Sequence, residues 1–465
     1  MASPHLPPDN SPPHDGLPNP QRMLAFATLA LAIAMAVLDG AIVNIALPTM
    51  SRELQVTPAG AVWIVNAFQL AVTASLLPLS ALGDTIGYRR VYWPGLALFT
   101  AASLACALAP GYATLVAARV VQGFGAAGIM SVNVALVRFI YPHSRLGQGV
   151  GNMAVVVAVC SAGSPTVGAA ILSVASWRWL FLINVPIGLV ALALAARTLP
   201  ATPRAKRSLD PLSVALNALT FGLLVLGVDG ISSARGLGTA IAALAGAAAF
   251  GALFVRRQLG QTAPLLPVDL LKRPVFALSL ATSISSFGAA ALGLVALPFF
   301  FEAALNLSPT GTGLLLTPWP VGTALIAPVA GRLADRFAPG LLGSAGLLVF
   351  GSGLVLTALA LGHGDALSFA WRLAICGVGF GFFQSPNNRM IIGSAPPHRT
   401  GGAAGLQSSG RLIGQSLGTA FMAVAFGRWP AHATSIALWT AAGLAFTGAL
   451  ASGLRRGGDG AQAAG

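Results

Sequence analysis

Polar positions are sparse along this chain, and apolar runs follow one another with only short charged interruptions between them. A helix rising 1.5 Å per residue needs about 20 apolar residues to cross a hydrocarbon layer. Runs of at least about 18 residues predict fourteen such helices, over 24–50, 60–81, 92–109, 113–138, 149–173, 178–196, 212–230, 237–255, 276–303, 310–331, 341–362, 369–393, 403–427 and 433–453. Their even number puts both chain ends on one side. A transmembrane β-barrel does not fit, because its strands would read as ~10-residue alternating segments.

Composition agrees: of 465 residues 8% are charged and 55% hydrophobic, which suits a polytopic helical membrane protein and not a string of soluble domains. A net charge of +14 would suit a nucleic-acid binder, yet the basic residues stand singly or in pairs beside the apolar runs, where topology signals stand. Only Arg52, Arg178, Arg235, Arg372 and Arg428 fall opposite the chain ends, and Arg119 and Arg411 lie inside runs. All other basic residues, Arg145, Lys206 and Arg257 among them, share the face of the termini. That asymmetry predicts cytosolic termini in a cell inner membrane. Residues 1–23 lack the basic start and apolar core of a secretory signal and read as a disordered cytosolic tail. Cys106, Cys160 and Cys376 sit within apolar runs, and the histidines sit in the tail, the loops or the span ends. Neither set forms a metal-ligand cluster, so no metal is expected.

An internal repeat organises the runs. Leu82-Gly83-Asp84-Thr85-Ile86-Gly87-Tyr88-Arg89-Arg90, after the second, resembles Gly331-Arg332-Leu333-Ala334-Asp335-Arg336-Phe337, after the tenth. Asp84 and Asp335 are 251 residues apart, and the first and ninth runs, starting at 24 and 276, are offset by 252. The offset predicts two related six-helix bundles, 24–200 and 276–454, with two inserted helices and a linker at 201–275 and a short tail at 455–465.

Four further motifs narrow the class. Leu38-Asp39-Gly40-Ala41-Ile42-Val43-Asn44-Ile45-Ala46-Leu47-Pro48 places a carboxylate inside the first run, and Leu115, Arg119, Gln122, Gly123, Gly125, Ala126 and Ala127 mark the fourth. Ser164-Pro165-Thr166-Val167-Gly168-Ala169 lies in the fifth, and Trp177 to Gly188 opens the sixth. With the Asp84 loop, these resemble the major facilitator superfamily, specifically its fourteen-span drug:proton antiporter branch of the EmrB/QacA type. The loop departs from the family pattern at Ser80 and Thr85, and the fifth-run motif is degenerate. The resemblance implies an all-α major facilitator fold of six plus two plus six helices. It also implies proton-coupled export of hydrophobic small molecules, expected to be cationic, by a monomer working in the lipid bilayer with protons and substrate as its partners. A dedicated exporter of one metabolite or antibiotic stays open.

An ionisable side chain within a span costs at least ~2.5 kcal/mol to insert and so needs a reason. Asp39 lies about 16 Å and Arg119 about 9 Å from the far ends of their spans, at 1.5 Å per residue. At similar depth a carboxylate and a guanidinium would tune each other's proton affinity, as proton coupling requires. Asp39 is read either as a protonatable site facing an aqueous cavity or as a satisfied contact between helices; Arg119 as its partner or as a structural arginine. In the second copy residue 290 is Ala290, so coupling is expected in the first half alone.

The resemblance implies that the second helix packs on the thirteenth. Asp84, with Gly87, Arg89 and Arg90, is therefore read either as a latch to the start of the thirteenth, near Thr400-Gly401-Gly402, whose dipole attracts a carboxylate, or as a solvated loop aspartate capping its own turn. Pro165 and Gly168 mark the antiporter helix. Asn44, Gln384, Asn387, Asn388, Glu302 and Arg411 are candidates for the cavity wall, or for bonds between helices; Glu302 and Asp229 are terminal carboxylates that could also serve coupling. Gly123-Phe124-Gly125-Ala126-Ala127-Gly128 spells a dinucleotide fingerprint, but no strand precedes it, and its glycines suit close helix contact. No phosphate-cradling loop with its lysine occurs, so neither ATP nor any cofactor is expected, and no clustered nucleophiles or bases suggest an enzyme.

Overall fold

The structure is a computed structural model that describes residues 15–202, 210–232, 237–261, 268–395 and 400–457; Arg204, Lys206, Arg207, Arg235 and Arg399 lie outside these. The helices are α1 (Gln21–Glu53), α2 (Pro58–Ile86), α3 (Tyr88–Ala107), α4 (Tyr112–Ile140), α5 (Leu146–Val174), α6 (Trp179–Thr198) and α7 (Pro211–Ser232). There follow α8 (Leu237–Leu259), α9 (Pro274–Ala304), α10 (Pro309–Leu333), α11 (Pro339–Leu359), α12 (Ala366–Gly393), α13 (Thr400–Arg428) and α14 (Ala433–Gly453). The chain is thus an all-α polytopic membrane protein. Eleven of its helices are long and apolar enough to cross a membrane by length and composition among the described residues. Two of the others carry polar residues for visible reasons: α3 opens on Arg89 and Arg90, and α13 bears Ser408, Arg411 and Gln415 along its inner side.

Prolines set the breaks. α6 turns at Ile183, because Pro186 has no N–H to offer the Leu182 carbonyl, and α10 turns at Thr317, just ahead of Pro318 and Pro320. The repeat reaches the caps. Thr57 Oγ1 accepts from Gly60 N at 3.2 Å with Pro58 at the first helical position, and Ser308 Oγ accepts from Gly311 N at 3.1 Å with Pro309. Just before each cap a residue enters the left-handed region, Gln55 at φ 53° and Asn306 at φ 50°.

Helix pairing repeats too. α1 packs on α5 and α6, α4 on α2 and α3, and α3 on α6; α9 packs on α13 and α14, α12 on α10 and α11, and α11 on α14. Within each set close approach is licensed by glycine: Gly125 meets the backbone of Phe99 and Gly95, and Gly379 that of Phe350 and Gly346. The fingerprint-like glycines of α4 are therefore packing residues. The two sets meet along α2–α13, α5–α10 and α1–α9, and α7 lies over the α2–α13 seam, where Asn217 Nδ2 donates to the Ala74 carbonyl.

The contacts between sets are concentrated at the end away from the termini. One cluster of buried apolar side chains there joins Ile42–Met50 and Ala59–Val65 to Leu292–Phe301 and Leu315. Toward the terminal end the buried clusters separate, one mainly of α1–α6 and a small one of α9, α12 and α13.

Candidate functional site

Asp39 is fully buried, and its site is built by four helices. Arg119 Nη1 on α4 donates to Asp39 Oδ2, while Gln122 Nε2 on α4 (2.9 Å) and Asn184 Nδ2 on α6 (3.0 Å) donate to Oδ1. Arg119 also donates through Nε to the Ile64 carbonyl of α2 at 3.0 Å and through Nη1 to Gln122 Oε1 at 2.6 Å. Its guanidinium lies 4.1 Å from the Phe68 ring centre and 5.5 Å from that of Phe181. Gln122 is itself anchored, with Nε2 donating to Ser103 Oγ at 2.9 Å. Asn184 is the first residue after the proline-set break in α6. Both oxygens of the Asp39 carboxylate are bonded, whereas Arg119 Nη2 is buried with no hydrogen-bond partner among the described residues; losing either member would leave the other charge buried and unpaired.

Asp39 and Arg119 do meet at the estimated depth, and of the two readings of Asp39 the geometry fits the satisfied contact between helices. The cavity wall on α1 is Ile33, Ala41, Asn44 and Ile45, and Asp39, two residues before Ala41, points back toward α4 and α6. The motifs that contain Gln122 and Asn184 do not by themselves assign these two residues to the Asp39 site. Gln122 was findable, since it lies one turn from Arg119 on the same helix face; Asn184 depends on how α6 packs.

A cavity of about 1660 Å³ lies between the two helix sets and opens toward the terminal end. Deep in it Phe287, Trp319 and Phe380 meet Asn44, Ala290 and Gln415; nearer the mouth stand Asp84, Arg138, Gln258, Gln261 and Asp269. Asn44, Gln384, Asn388 and Arg411 line it as expected, and Pro165 of the antiporter-motif helix lines it as well. Asn387 does not: it faces α9, donating to Ser283 Oγ at 2.8 Å and accepting from Arg455 Nη1 at 2.8 Å, because adjacent residues of a helix point about 100° apart. Arg455, taken as the first residue of a tail, is buried and also donates to Thr282 Oγ1 at 2.5 Å. Glu302 is likewise not on the wall. It pairs with Arg52 at 2.7 Å across the closed far end, joining α9 to α1.

At that end a Cβ on Gly313 of α10 would lie 2.7 Å from the Ala169 Cβ and 2.8 Å from the Pro165 carbonyl, and Thr166 meets Thr317 at 3.0 Å. Gly168 packs against Ile42 of α1. At the open end Asp84 accepts the Tyr88 hydroxyl at 2.7 Å. Gly87 holds φ +100°, where glycine alone is unstrained; Arg89 donates to the Ala196 carbonyl at 2.6 Å and Arg90 is exposed. The side chain of Asp229 lies outside the described part of α7.

A helical bundle divided by a cavity that opens at one end and is sealed at the other is the form of a membrane transporter. The sequence model of the Major Facilitator Superfamily matches residues 29–418 and again 278–459, and the chain belongs to that family. It is 49% identical over 445 residues, 95% of this chain and 97% of the relative, to the uncharacterized transporter YebQ of Escherichia coli (strain K12). It is 31% identical over 420 residues, 88% of this chain and 86% of the other, to the methylenomycin A resistance protein of Streptomyces coelicolor. The fold matches a bacterial homologue of the human lysosomal transporter Spinster, solved in an inward-facing conformation, with a TM-score of 0.67 at 14% identity over 94% of this chain and 98% of that one.

Proposed function

We propose that this transporter is a proton-driven exporter of hydrophobic small molecules, of the fourteen-span drug:proton antiporter branch, working by alternating access with both termini in the cytosol. The observation that carries the reading is Asp39, a carboxylate held at membrane depth by Arg119, Gln122 and Asn184 directly behind the cavity wall. Protonation would remove the charge that binds α1 to α4 and α6, and so would couple a proton to the packing of the whole 24–200 bundle. Rocking of that bundle against 276–454 would then close the mouth at Asp84 and part Arg52 from Glu302, passing substrate outward. The aromatic, weakly charged cavity suits greasy ligands, and a relative named for resistance to an antibiotic supports export as the direction.

The test uses proteoliposomes with an imposed pH gradient and three related compounds, 9-anthracenecarboxylate, 9-anthracenemethanol and 9-(aminomethyl)anthracene. At least one should move against its gradient with counterflow of protons, and Asp39→Asn should abolish that movement in protein that still inserts. Full gradient-driven transport by Asp39→Asn, or none by the wild-type protein, overturns the proposal.

A further inference from the structure

The geometry points to the substrate's chemical class: the cavity takes an amphipathic aromatic anion, its negative group on Arg411 and its rings against Phe287, Phe380 and Trp319. The inference rests on the export reading for its physiological sense, but concerns the ligand and not the energy source.

Three guanidiniums within the bundle invite comparison. Arg119 is neutralised by Asp39, and Arg455 is held by Asn387 and Thr282. Arg411 lines the cavity and makes no hydrogen bond or ion pair among the described residues. It stands eleven residues into α13, about 16 Å from the helix start at 1.5 Å per residue, where an unpaired charge is expensive. The acidic side chains described in the cavity and at its far end cannot serve it. Asp84 lies at the mouth and accepts the Tyr88 hydroxyl, Asp269 lies on the loop before α9 and is engaged, and Glu302 is at the far end with Arg52. Deep in the cavity the fixed charge is therefore positive, which repels an ammonium and offers a carboxylate, sulfonate or phenolate a forked donor pair.

Helix register places the aromatic wall relative to that charge. α9 and α13 run side by side in the same direction: a side chain at Gly410 would strike Leu280, one at Gly414 the Ile284 carbonyl, and one at Gly418 the Gly288 carbonyl. The offset is a constant 130 residues, so Arg411 is level with residue 281, and Phe287 lies six residues, about 9 Å, deeper. There Phe287 meets Phe380 edge to face at 5.1 Å, and Phe380 and Trp319 both pack on Phe350, at 5.4 and 5.5 Å. A charge and an aromatic surface about 9 Å apart in depth match a two- or three-ring acid. Polar groups elsewhere on the wall, the amides of Gln384 and Gln415 and the unpartnered Asn44 Oδ1, can take a substrate's carbonyls and hydroxyls.

The experiment measures binding without any gradient, as energy transfer from tryptophan to the three anthracenes in nanodiscs, with empty-nanodisc signal subtracted. The carboxylate should bind wild-type protein at least tenfold more tightly than the ammonium compound, with the alcohol between. Arg411→Gln should weaken carboxylate binding tenfold or more and leave the alcohol within twofold; Arg411→Lys should keep the order. Equal or tighter binding of the ammonium compound, binding of none of the three, or unchanged carboxylate affinity in Arg411→Gln overturns the inference. Should Arg411→Gln fail to insert, the wild-type ratio and Arg411→Lys decide alone. Anion-selective binding without gradient-driven transport would sink the export reading and leave this one; gradient-driven transport with no anion preference would do the reverse.

Discussion

At the scale of single residues the governing fact is that a buried charge depends on its partner more than it contributes to stability. Arg119 and Asp39 are both fully buried. Arg119→Ala is expected to lower stability by ~3–5 kcal/mol, the cost of stranding a buried carboxylate. Adding Asp39→Asn should return a large part of that loss, since the pair is strongly coupled. Thermal unfolding of the two single variants and the double variant in detergent measures the coupling; simple additivity would mean that the two groups do not act as a pair. Gln122 and Asn184 hold the same carboxylate, so truncating either is the milder perturbation.

At the scale of helices two contacts make separable predictions. Gly313 lets α10 lie against Pro165 and Ala169 of α5, so Gly313→Leu should force that seam apart. Cysteines at Thr166 and Thr317, whose hydroxyls are 3.0 Å apart, should form a disulfide readily in the parent and at a rate lowered tenfold or more with Gly313→Leu. An unchanged rate would show that the seam accommodates the bulk elsewhere. The inserted pair is clasped at its base, where Arg257 of α8 bonds Asp210 through Nε at 2.7 Å and Nη2 at 3.1 Å, and Ser213 and Gln261 add donors. The Arg257 bonds above all, then those of Ser213 and Gln261, hold the Asp210 carboxyl well below the ordinary carboxylate range. Because the folded value is the depressed one, the stabilisation is complete above about pH 4 and is lost as pH falls further, through the folded value. Hydrogen exchange in α8, corrected for intrinsic rates, should therefore be flat between pH 5 and 8, and Asp210→Asn should speed it across that range. A wild-type acceleration between pH 8 and 5 would contradict this account.

At the scale of the whole molecule, opposite ends are held by opposite devices. The far end is closed by apolar packing and by Arg52–Glu302, a pair exposed on one side only, at 62% and 4%. Partly exposed pairs contribute ~0.2–1 kcal/mol, so Arg52→Gln should shift the population toward far-end opening by up to about fivefold. Asp84→Asn should shift it the other way, because Asp84 is expected to reach the α13 terminus only when the mouth is shut. Spin labels at Ser173 and Ala303, exposed on α5 and α9 at the far end, report both changes as longer or shorter distances. Shifts of the same sign in the two variants would refute the opposed roles.

The run of apolar segments determined by itself that the chain is a helical membrane protein, because hydrocarbon demands that each backbone polar group be satisfied within its own segment. The 251-residue repeat was legible for a related reason: Asp84 and Asp335 mark the same turn, and Thr57 and Ser308 the same cap. Asp39 and Arg119 could be matched because depth in a membrane is a count of residues along a helix. Rotation and tilt cannot be counted in that way. Only the packing of α1 decided that Asp39 turns from the cavity while Asn44 lines it, only the packing of α12 on α9 separated Asn387 from Asn388, and only the assembled bundle showed that Glu302 and Arg455 have partners and that Arg411 has none among the described residues. Each of those outcomes depends on which neighbouring helix lies across each face, and that is settled by contacts 68 to 250 residues apart in the chain.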